Sequence, residues 1–336
     1  MATKKTVTID TNTANGDADY HGIEEAIAGE LTANADLVAS DLQLDIVSSA
    51  STGVADVLGA VLDLTPFTVS DTCYLEIKAA TGQQAGTIWN DNIYRMVLDV
   101  NDSATMFNIR TNQHFTGLQI KHGTSSTTNS TILGSAGELA INYLDGCLIV
   151  KGSVGANMPI CVNNNRFNGG FRLRNCIIVG ATLGLRNYGN AAASRCVLNN
   201  CTFIDCATAM NMLRVADTLA TNCIAQGCTV GFGSTGVTPV NCISDVEAEG
   251  AIDGVTYGTV TFAGAGNYAL GPGDTVAKDA GADLSSNIYY PVTTDILGTA
   301  RPQGAAYDVG AHELTSGGSA LLPIMLSMNQ FGGGLL

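Results

Sequence analysis

The chain has 336 residues, of which 46% are hydrophobic and only 13% are charged. An average globular protein carries about 25% charged residues, so this composition disfavours helical bundles and coiled coils, whose exposed faces are rich in charge. The formal net charge of −15 opposes phosphate neutralisation, and we therefore expect neither nucleic acid nor an anionic membrane as a partner.

The first residues are basic but not apolar. Lys4 and Lys5 precede alternating Thr, Val and Ile, whereas a secretory signal needs an apolar stretch of about 7 to 15 residues. We expect no secretory signal, synthesis in a cytoplasm and no membrane-spanning helix.

A short amphipathic helix is predicted next. Ile23, Ala26, Ile27 and Leu31 recur at helical spacing, and acidic residues occupy the first turn. Residues 1–35 are predicted to form an N-terminal strand and this helix, which covers one end of the fold.

An asparagine–cysteine pair then recurs four times. Each pair precedes a short run rich in β-branched residues and a turn residue, which predicts a strand of about four or five residues. The cysteines follow one another at intervals of 25, 22 and 19 residues. The repeated residues are Asn175, Cys176, Asn200, Cys201, Asn222, Cys223, Asn241 and Cys242.

Repeats of this kind predict a solenoid, in which stacked coils align like residues into columns. We expect the cysteines to point inward and the asparagines to lie at a sharp corner, with their amides hydrogen-bonded to the coils above and below. The alternation does not settle which face is interior, because Ile177, Ile224 and Ile243 on the opposite face are also apolar.

The ten cysteines are expected to be free thiols, since no export signal is visible. The spacing of Cys201 from Cys206, or of Cys223 from Cys228, matches neither a zinc knuckle nor a redox pair. No metal and no cofactor is therefore predicted.

Several motifs resemble right-handed parallel β-helix proteins of the pectate-lyase-like superfamily. They are the opening at 19–27, the Asn-Cys-Thr-Phe type strands, and two elements at 270–281 and 295–313. The last is similar to the D-x-x-G-x-x-R-P-x-G-x-x-x-D-[IV]-G-A-x-E ending of many such proteins. The resemblance implies an all-β solenoid over residues 36–313 that ends in a cap motif.

The resemblance also carries expectations about function. The chain looks most like tailed-phage proteins, which implies a non-enzymatic structural protein of a virion, such as a capsid decoration or head-attached protrusion. Its partners would be other virion proteins, further copies of itself in a trimer, and a cell-surface glycan. The alternative is a tail fibre or spike that binds or depolymerises polysaccharide, as a lyase or glycoside hydrolase.

Catalytic candidates are few. The Asn-Thr-Asp, Asp-Asp, Gly-His-Gly and Arg-Ile-Lys signatures of pectinolytic hydrolases are absent from the sequence. A lyase or hydrolase would instead need convergence of other side chains. The candidates are His114 and His122, the basic group Lys151, Arg166, Arg172, Arg174, Arg186 and Arg195, and the carboxylates Asp99, Asp102, Asp145, Asp205 and Asp217.

Residues 314–336 form a Gly-rich linker and an apolar tail that is too short to span a bilayer. An exposed apolar segment favours a partner surface, and the alternative is that the tail folds back over the last coil of its own chain. The predicted contact residues are Leu321, Leu322, Ile324, Met325, Leu326 and Phe331.

Overall fold

The computed structural model describes residues 2–98, 105–109, 112–122, 131–135, 141–151, 160–162, 170–187, 196–212 and 218–315. In this part of the chain, twenty-four strands form three parallel sheets and two more form an antiparallel hairpin. One α-helix, α1 (Ile23–Asn34), follows the first strand, and a 3-10 helix spans Glu247–Ala251.

The strands, in chain order, are β1 (Thr3–Asp10), β2 (Leu42–Ser49), β3 (Asp56–Leu58), β4 (Leu62–Asp63), β5 (Leu75–Ala79), β6 (Arg95–Leu98), β7 (Thr105–Ile109), β8 (Gln113–Thr116), β9 (Gln119–His122), β10 (Thr131–Ser135), β11 (Ile141–Asp145), β12 (Leu148–Val150), β13 (Ile160–Val162), β14 (Gly170–Arg174), β15 (Ile177–Val179), β16 (Leu183–Asn187), β17 (Cys196–Asn199), β18 (Thr202–Ile204), β19 (Thr208–Met212), β20 (Thr218–Thr221), β21 (Ile224–Gln226), β22 (Val237–Val240), β23 (Cys242–Ser244), β24 (Val255–Tyr257), β25 (Phe262–Gly264) and β26 (Asn267–Leu270).

The six coils from β2 to β19 each place one strand in each of three sheets, and these strands pair in parallel with the equivalent strands of the neighbouring coils. The first sheet has the order β1-β2-β5-β8-β11-β14-β17-β20-β22, and the second β3-β6-β9-β12-β15-β18-β21-β23-β24. The third has the order β4-β7-β10-β13-β16-β19. This arrangement is a parallel β-helix, which confirms the predicted fold class.

The interior of the solenoid is one continuous apolar cluster. It contains Cys176, Cys201, Cys223 and Cys242, together with Phe203 and other residues two positions further along each strand. Side chains at i and i+2 share a face of a strand, so this is the face that was expected to be interior. The nine cysteines whose side chains are described are buried free thiols.

A left-handed residue turns the chain from the first sheet into the second. The repeated asparagines Asn175, Asn200, Asn222 and Asn241 have φ between 50° and 53°, and glycines occupy the same place in two earlier coils. Glycine and asparagine adopt this conformation at low cost, whereas most side chains are strained in it. In the six coils from β8 to β23, this corner is therefore either glycine or asparagine.

The asparagine amides do not mainly bond to one another, as was expected. One contact of that kind is present, from Asn222 Nδ2 to Asn200 Oδ1 at 3.4 Å. The amides instead donate to backbone carbonyls of residues 260–315, which we name the C-terminal strap, because the corner conformation points them out of the coil. The pairs are Asn175 with Thr294 at 2.9 Å, Asn200 with Asp308 at 2.9 Å and Asn222 with Ala282 at 2.8 Å.

The strap explains why both faces of the second sheet are apolar. Ile177 lies in a buried cluster with Ile296 and Ala311 of the strap, and Ile224 and Ile243 pack against Leu270 and further strap residues. The terminal motif at 295–313 thus runs along the side of the solenoid. The resemblance had instead predicted a cap at the end of the solenoid.

Buried interactions of Arg301 hold the terminal motif together. Its guanidinium forms a fully buried ion pair with Glu313 at 3.0 Å and donates to the carbonyls of Asp308 and Gly310. Asn200 donates to the same two carbonyls from the solenoid side. The motif residues therefore join the strap to the asparagine corner.

Other residues close the two ends of the interior. Ile23, Ala26 and Ile27 of α1 are buried in the interior cluster, as the helical spacing predicted. Near the last coil, the buried carboxylate of Glu249 accepts hydrogen bonds from three successive backbone N–H groups, of residues 231–233. No helix in the described ranges is long and apolar enough to cross a membrane.

The two roles of the corner asparagine can be separated by substitution. Asn200→Gly keeps the left-handed turn but loses the amide bonds to the strap, and we expect it to lower the free energy of unfolding by about 1–2 kcal/mol. Asn200→Ala should cost about 1 kcal/mol more, because alanine is strained at positive φ.

Asn241 provides the matched control, because it is exposed and has no hydrogen bond to the strap in the described structure. Asn241→Gly should be nearly neutral, and Asn241→Ala should cost only the backbone strain. Urea unfolding of the four variants measures these differences. Equal decreases in the free energy of unfolding for Asn200→Gly and Asn241→Gly would show that the hydrogen bonds to the strap do not stabilise the fold.

Candidate functional site

In the described part of the chain, the strap covers the second sheet and reaches the first sheet at β14 and β17, through Pro291 and Tyr290. The outward side chains of the six first-sheet strands from β1 to β14 form a polar and aromatic strip, most of it half-buried, which we name the first-sheet face. Six strands at about 4.8 Å spacing give it a length of roughly 24 Å. Its residues are Lys4, Asp45, Tyr74, Glu76, Lys78, His114, Thr116, Tyr143, Asp145, Arg172 and Arg174.

An aromatic column runs through the middle of the first-sheet face. The His114 ring stacks on Tyr74 with a centroid distance of 4.1 Å and lies 4.4 Å from the ring of Tyr143. Tyr290 of the strap meets Tyr143 edge-on at 5.4 Å. The stacked rings cover one another's faces, so the column presents mainly ring edges and polar atoms to solvent.

The tyrosine hydroxyls are available for binding. Tyr74 and Tyr143 are half-buried, and neither hydroxyl has a hydrogen bond within the described part of the chain. A phenol can both donate and accept a hydrogen bond. These two groups therefore suit a ligand rich in hydroxyls.

A carboxylate pair lies near the N-terminal end of the strip, on β2 and β5. Asp45 and Glu76 face each other across neighbouring strands, and Lys78 Nζ contacts both, at 3.0 Å from Glu76. Lys4 also contacts Asp45, at 2.6 Å. Burial alone would raise the pKa of Asp45, but the hydrogen bonds from Lys4 and Lys78 outweigh it and lower the pKa.

The pairing of Asp45 with Lys4 and Lys78 disfavours acid catalysis by this carboxylate. Asp45 is fully buried beneath the two lysines. A general acid must be protonated and within reach of its substrate, and Asp45 meets neither condition. The pair therefore acts as a neutralised, rigid element of the face.

Two arginines lie where the strip meets the strap. Arg174 binds Asp145 at 2.6 Å, donates to the carbonyl of Pro291, and sits 4.3 Å above the ring of Tyr290. Arg172 lies 5.4 Å from the ring of Tyr289. The strap thereby forms one wall of the first-sheet face and orients both guanidinium groups.

His114 is neutral at physiological pH. Burial lowers its pKa to about 4, although Glu76 and Asp45 act in the opposite direction. An imidazole with so low a pKa is a weak base and carries no charge to attract an anion. We therefore assign it a role in the stack and in hydrogen bonding.

The other sequence candidates do not converge on this face. Arg186 lies on the third sheet, Asp205 occupies a left-handed corner with φ of 52°, and Lys151 follows the second sheet. Asp99, Asp102, Asp217, Arg166, Arg195 and all six predicted contact residues of the tail lie outside the described residues, as does the side chain of His122.

The sequence motifs did not point to five residues of this face, Asp45, Tyr74, Glu76, Lys78 and Tyr143. Alternation in β2 and β5, such as Leu75-Glu76-Ile77-Lys78, indicates a strand with one polar face. No asparagine–cysteine pair occurs in these coils to set their register. The repeated pairs themselves lie at the corner and in the interior, away from the open face.

The first-sheet face offers groups that can hydrogen-bond a ligand. Within the described ranges, no group of three or more His, Cys, Asp or Glu side chains is placed to hold a metal ion. The face offers free phenols, neutralised ion pairs and a long, straight surface. These features suit a hydroxyl-rich polymer.

No family model matches the chain, and no curated protein matches it. Among solved structures, it is similar to a pectin methylesterase from Aspergillus niger, with 12% identity, a TM-score of 0.37, and coverage of 73% of this chain and 86% of that one. It is also similar to the pectate lyase Pel9A, with 12% identity, a TM-score of 0.33, and coverage of 93% and 97%.

The buried imidazole predicts a pH dependence of stability. The unfolded chain binds a proton at His114 near pH 6.5, whereas the folded chain binds it only near pH 4. The free energy of unfolding should therefore fall as the pH drops from 6.5 to 4, by up to about 3 kcal/mol from this residue.

His114→Phe keeps a ring in the stack but cannot titrate. Urea unfolding at intervals from pH 7 to pH 4 should show a shallower decline for this variant than for the wild type. Parallel declines would mean that His114 does not contribute.

Proposed function

We propose that this protein binds polysaccharide along the first-sheet face. The observation that carries the proposal is a polar–aromatic strip roughly 24 Å long that is partly exposed in the described part of the chain. This length suits a polymer rather than a small molecule. A β-solenoid holds such a surface rigid, since each coil is packed between its neighbours. Little conformational entropy is then lost on binding.

The chemistry of the strip supports a glycan over other partners. Its unpaired phenols match sugar hydroxyls, and its ion pairs leave little apolar area for a protein interface. The face carries four cations, Lys4, Lys78, Arg172 and Arg174, against three carboxylates, Asp45, Glu76 and Asp145, in a chain of net charge −15. An acidic polysaccharide is therefore repelled less here than by the chain as a whole.

Binding without cleavage is the better-supported activity. The carboxylates on the face, Asp45, Glu76 and Asp145, each contact a lysine or arginine. Glycoside hydrolysis needs two carboxyl groups within reach of the sugar, one of them free to donate a proton, whereas each carboxylate on this face is engaged by a cation. Incubation with a bound polysaccharide should release no reducing ends and no unsaturated product.

Affinity electrophoresis tests the proposal. Gels containing polygalacturonate, alginate or dextran supply acidic and neutral probes, and at least one should retard the wild-type protein. The double variant Tyr74→Ala/Tyr143→Ala should bind at least about tenfold more weakly, a loss of about 1.4 kcal/mol. Circular dichroism checks that the β-structure is retained.

Tyr257→Ala is the matched control, because Tyr257 is exposed on the second sheet, away from the strip. It should bind like the wild type. Equal losses in the control and the double variant, or binding by neither the wild type nor any variant to any probe, would contradict the proposal.

The setting that we propose for this binding is the particle of a tailed phage. The family resemblance supports it, with virion proteins and further copies of the chain, in a trimer, as partners and the cell-surface glycan as the ligand. The apolar composition of the tail supports attachment through Leu321, Leu322, Ile324, Met325, Leu326 and Phe331.

Deletion of residues 316–336 should abolish assembly and leave the β-rich circular dichroism unchanged. Analytical ultracentrifugation of the full chain and the truncated chain measures assembly. An unchanged oligomeric state on truncation would rule out the tail as the contact.

A further inference from the structure

The strap contains a hairpin and a terminal motif, which meet through one hydrogen bond and through packing of Phe262 and Tyr268 against the cluster that contains Ile296 and Ala311. The hairpin β25–β26 packs over Ile224 and Ile243 through Leu270, and the terminal motif at 295–313 is held by the asparagine corner. Between residues 262–270 and 295–313, both fully described, the one hydrogen bond runs from the Leu270 N–H to His312 Nδ1, at 3.2 Å.

This contact fixes the protonation state of His312. A backbone N–H only donates, so Nδ1 must accept and carry no proton. The proton of the neutral ring is therefore on Nε2. A doubly protonated ring would place two donors against each other and break the contact.

The surroundings of His312 also oppose a positive charge. The ring is largely buried, which lowers its pKa; Asp295 acts in the opposite direction, and Arg301 adds to the lowering. The adjacent Glu313 is engaged in its buried ion pair with Arg301. From the hairpin side, residues 262–270 contribute a single titratable group, Tyr268.

We propose that His312 is a proton-sensitive latch of the strap. While Nδ1 is unprotonated, it holds Leu270 and keeps the hairpin closed over the second sheet. Protonation breaks this bond and loosens the hairpin around Leu270, beside Ile224 and Ile243, while Asn267 and Tyr268 stay hydrogen-bonded to Thr87. The latch is independent of the proposed glycan site, since neither His312 nor Leu270 belongs to the first-sheet face.

Hydrogen–deuterium exchange from pH 7 to pH 4, corrected for the intrinsic rate at each pH, tests the latch. In the wild type, the corrected exchange of peptides covering 262–270 should increase by up to about tenfold per pH unit once His312 titrates. Peptides covering the interior strands β15 and β18 should stay protected.

His312→Asn is the decisive variant. The asparagine side-chain oxygen can accept the Leu270 N–H near the position of Nδ1 but does not titrate. Exchange at 262–270 should then stay slow at every pH. His114→Phe serves as a control for the other buried histidine and should keep the wild-type pH dependence of the hairpin.

The same pH dependence in His312→Asn as in the wild type would overturn the proposal, as would wild-type exchange that does not change with pH. If His312→Asn fails to fold, NMR titration of the wild-type imidazole replaces it. The midpoint of the His312 ring should coincide with the onset of hairpin exchange, and a clear separation of the two would also overturn the proposal.

Discussion

The left-handed residue between the first and second sheets is the constraint on which the structure depends. In the six coils from β8 to β23 the chain turns sharply there without interrupting either sheet, and the residue at the turn is glycine or asparagine, which adopt positive φ at low cost. Asparagine adds a second effect, because its amide points out of the coil and binds the strap. Asparagine thus both turns the chain at the corner and holds the strap over the second sheet.

That cover determines which surface stays open. Without the strap, the outer face of the second sheet would expose Ile177, Ile224 and Ile243 to water. The strap buries them and passes beside Arg172 and Arg174, where Tyr289 and Tyr290 form one wall of the first-sheet face. The asparagine corner therefore shapes the proposed binding surface indirectly, through the position of the strap.

The sequence predicted the solenoid because the repeats leave a local signature. In Asn200-Cys201 and Asn222-Cys223, the asparagine lies at the corner and the adjacent cysteine in the interior. The repeated pair therefore predicts where each coil turns and which side chains it buries. α1 was predicted for the same reason, since Ile23, Ala26 and Ile27 lie within two turns.

The candidate site was not predictable in this way. Tyr74, His114 and Tyr143 meet across three coils, and the coils of this region differ in length, so no fixed interval in the sequence joins them. The bonds from the asparagines to the strap likewise join residues about 60 to 120 positions apart, as with Asn175 and Thr294. Such contacts depend on the register of whole sheets, which the repeats specify only in the second half of the chain.

The most direct test is a footprint of a bound polysaccharide. Hydrogen–deuterium exchange should be compared with and without a saturating amount of whichever polymer retards the protein in gels. The account predicts slower exchange in β5, β8, β11 and β14 of the first sheet and in the adjoining strap at 287–291. Protection confined to the third sheet, or no protection despite binding, would contradict it.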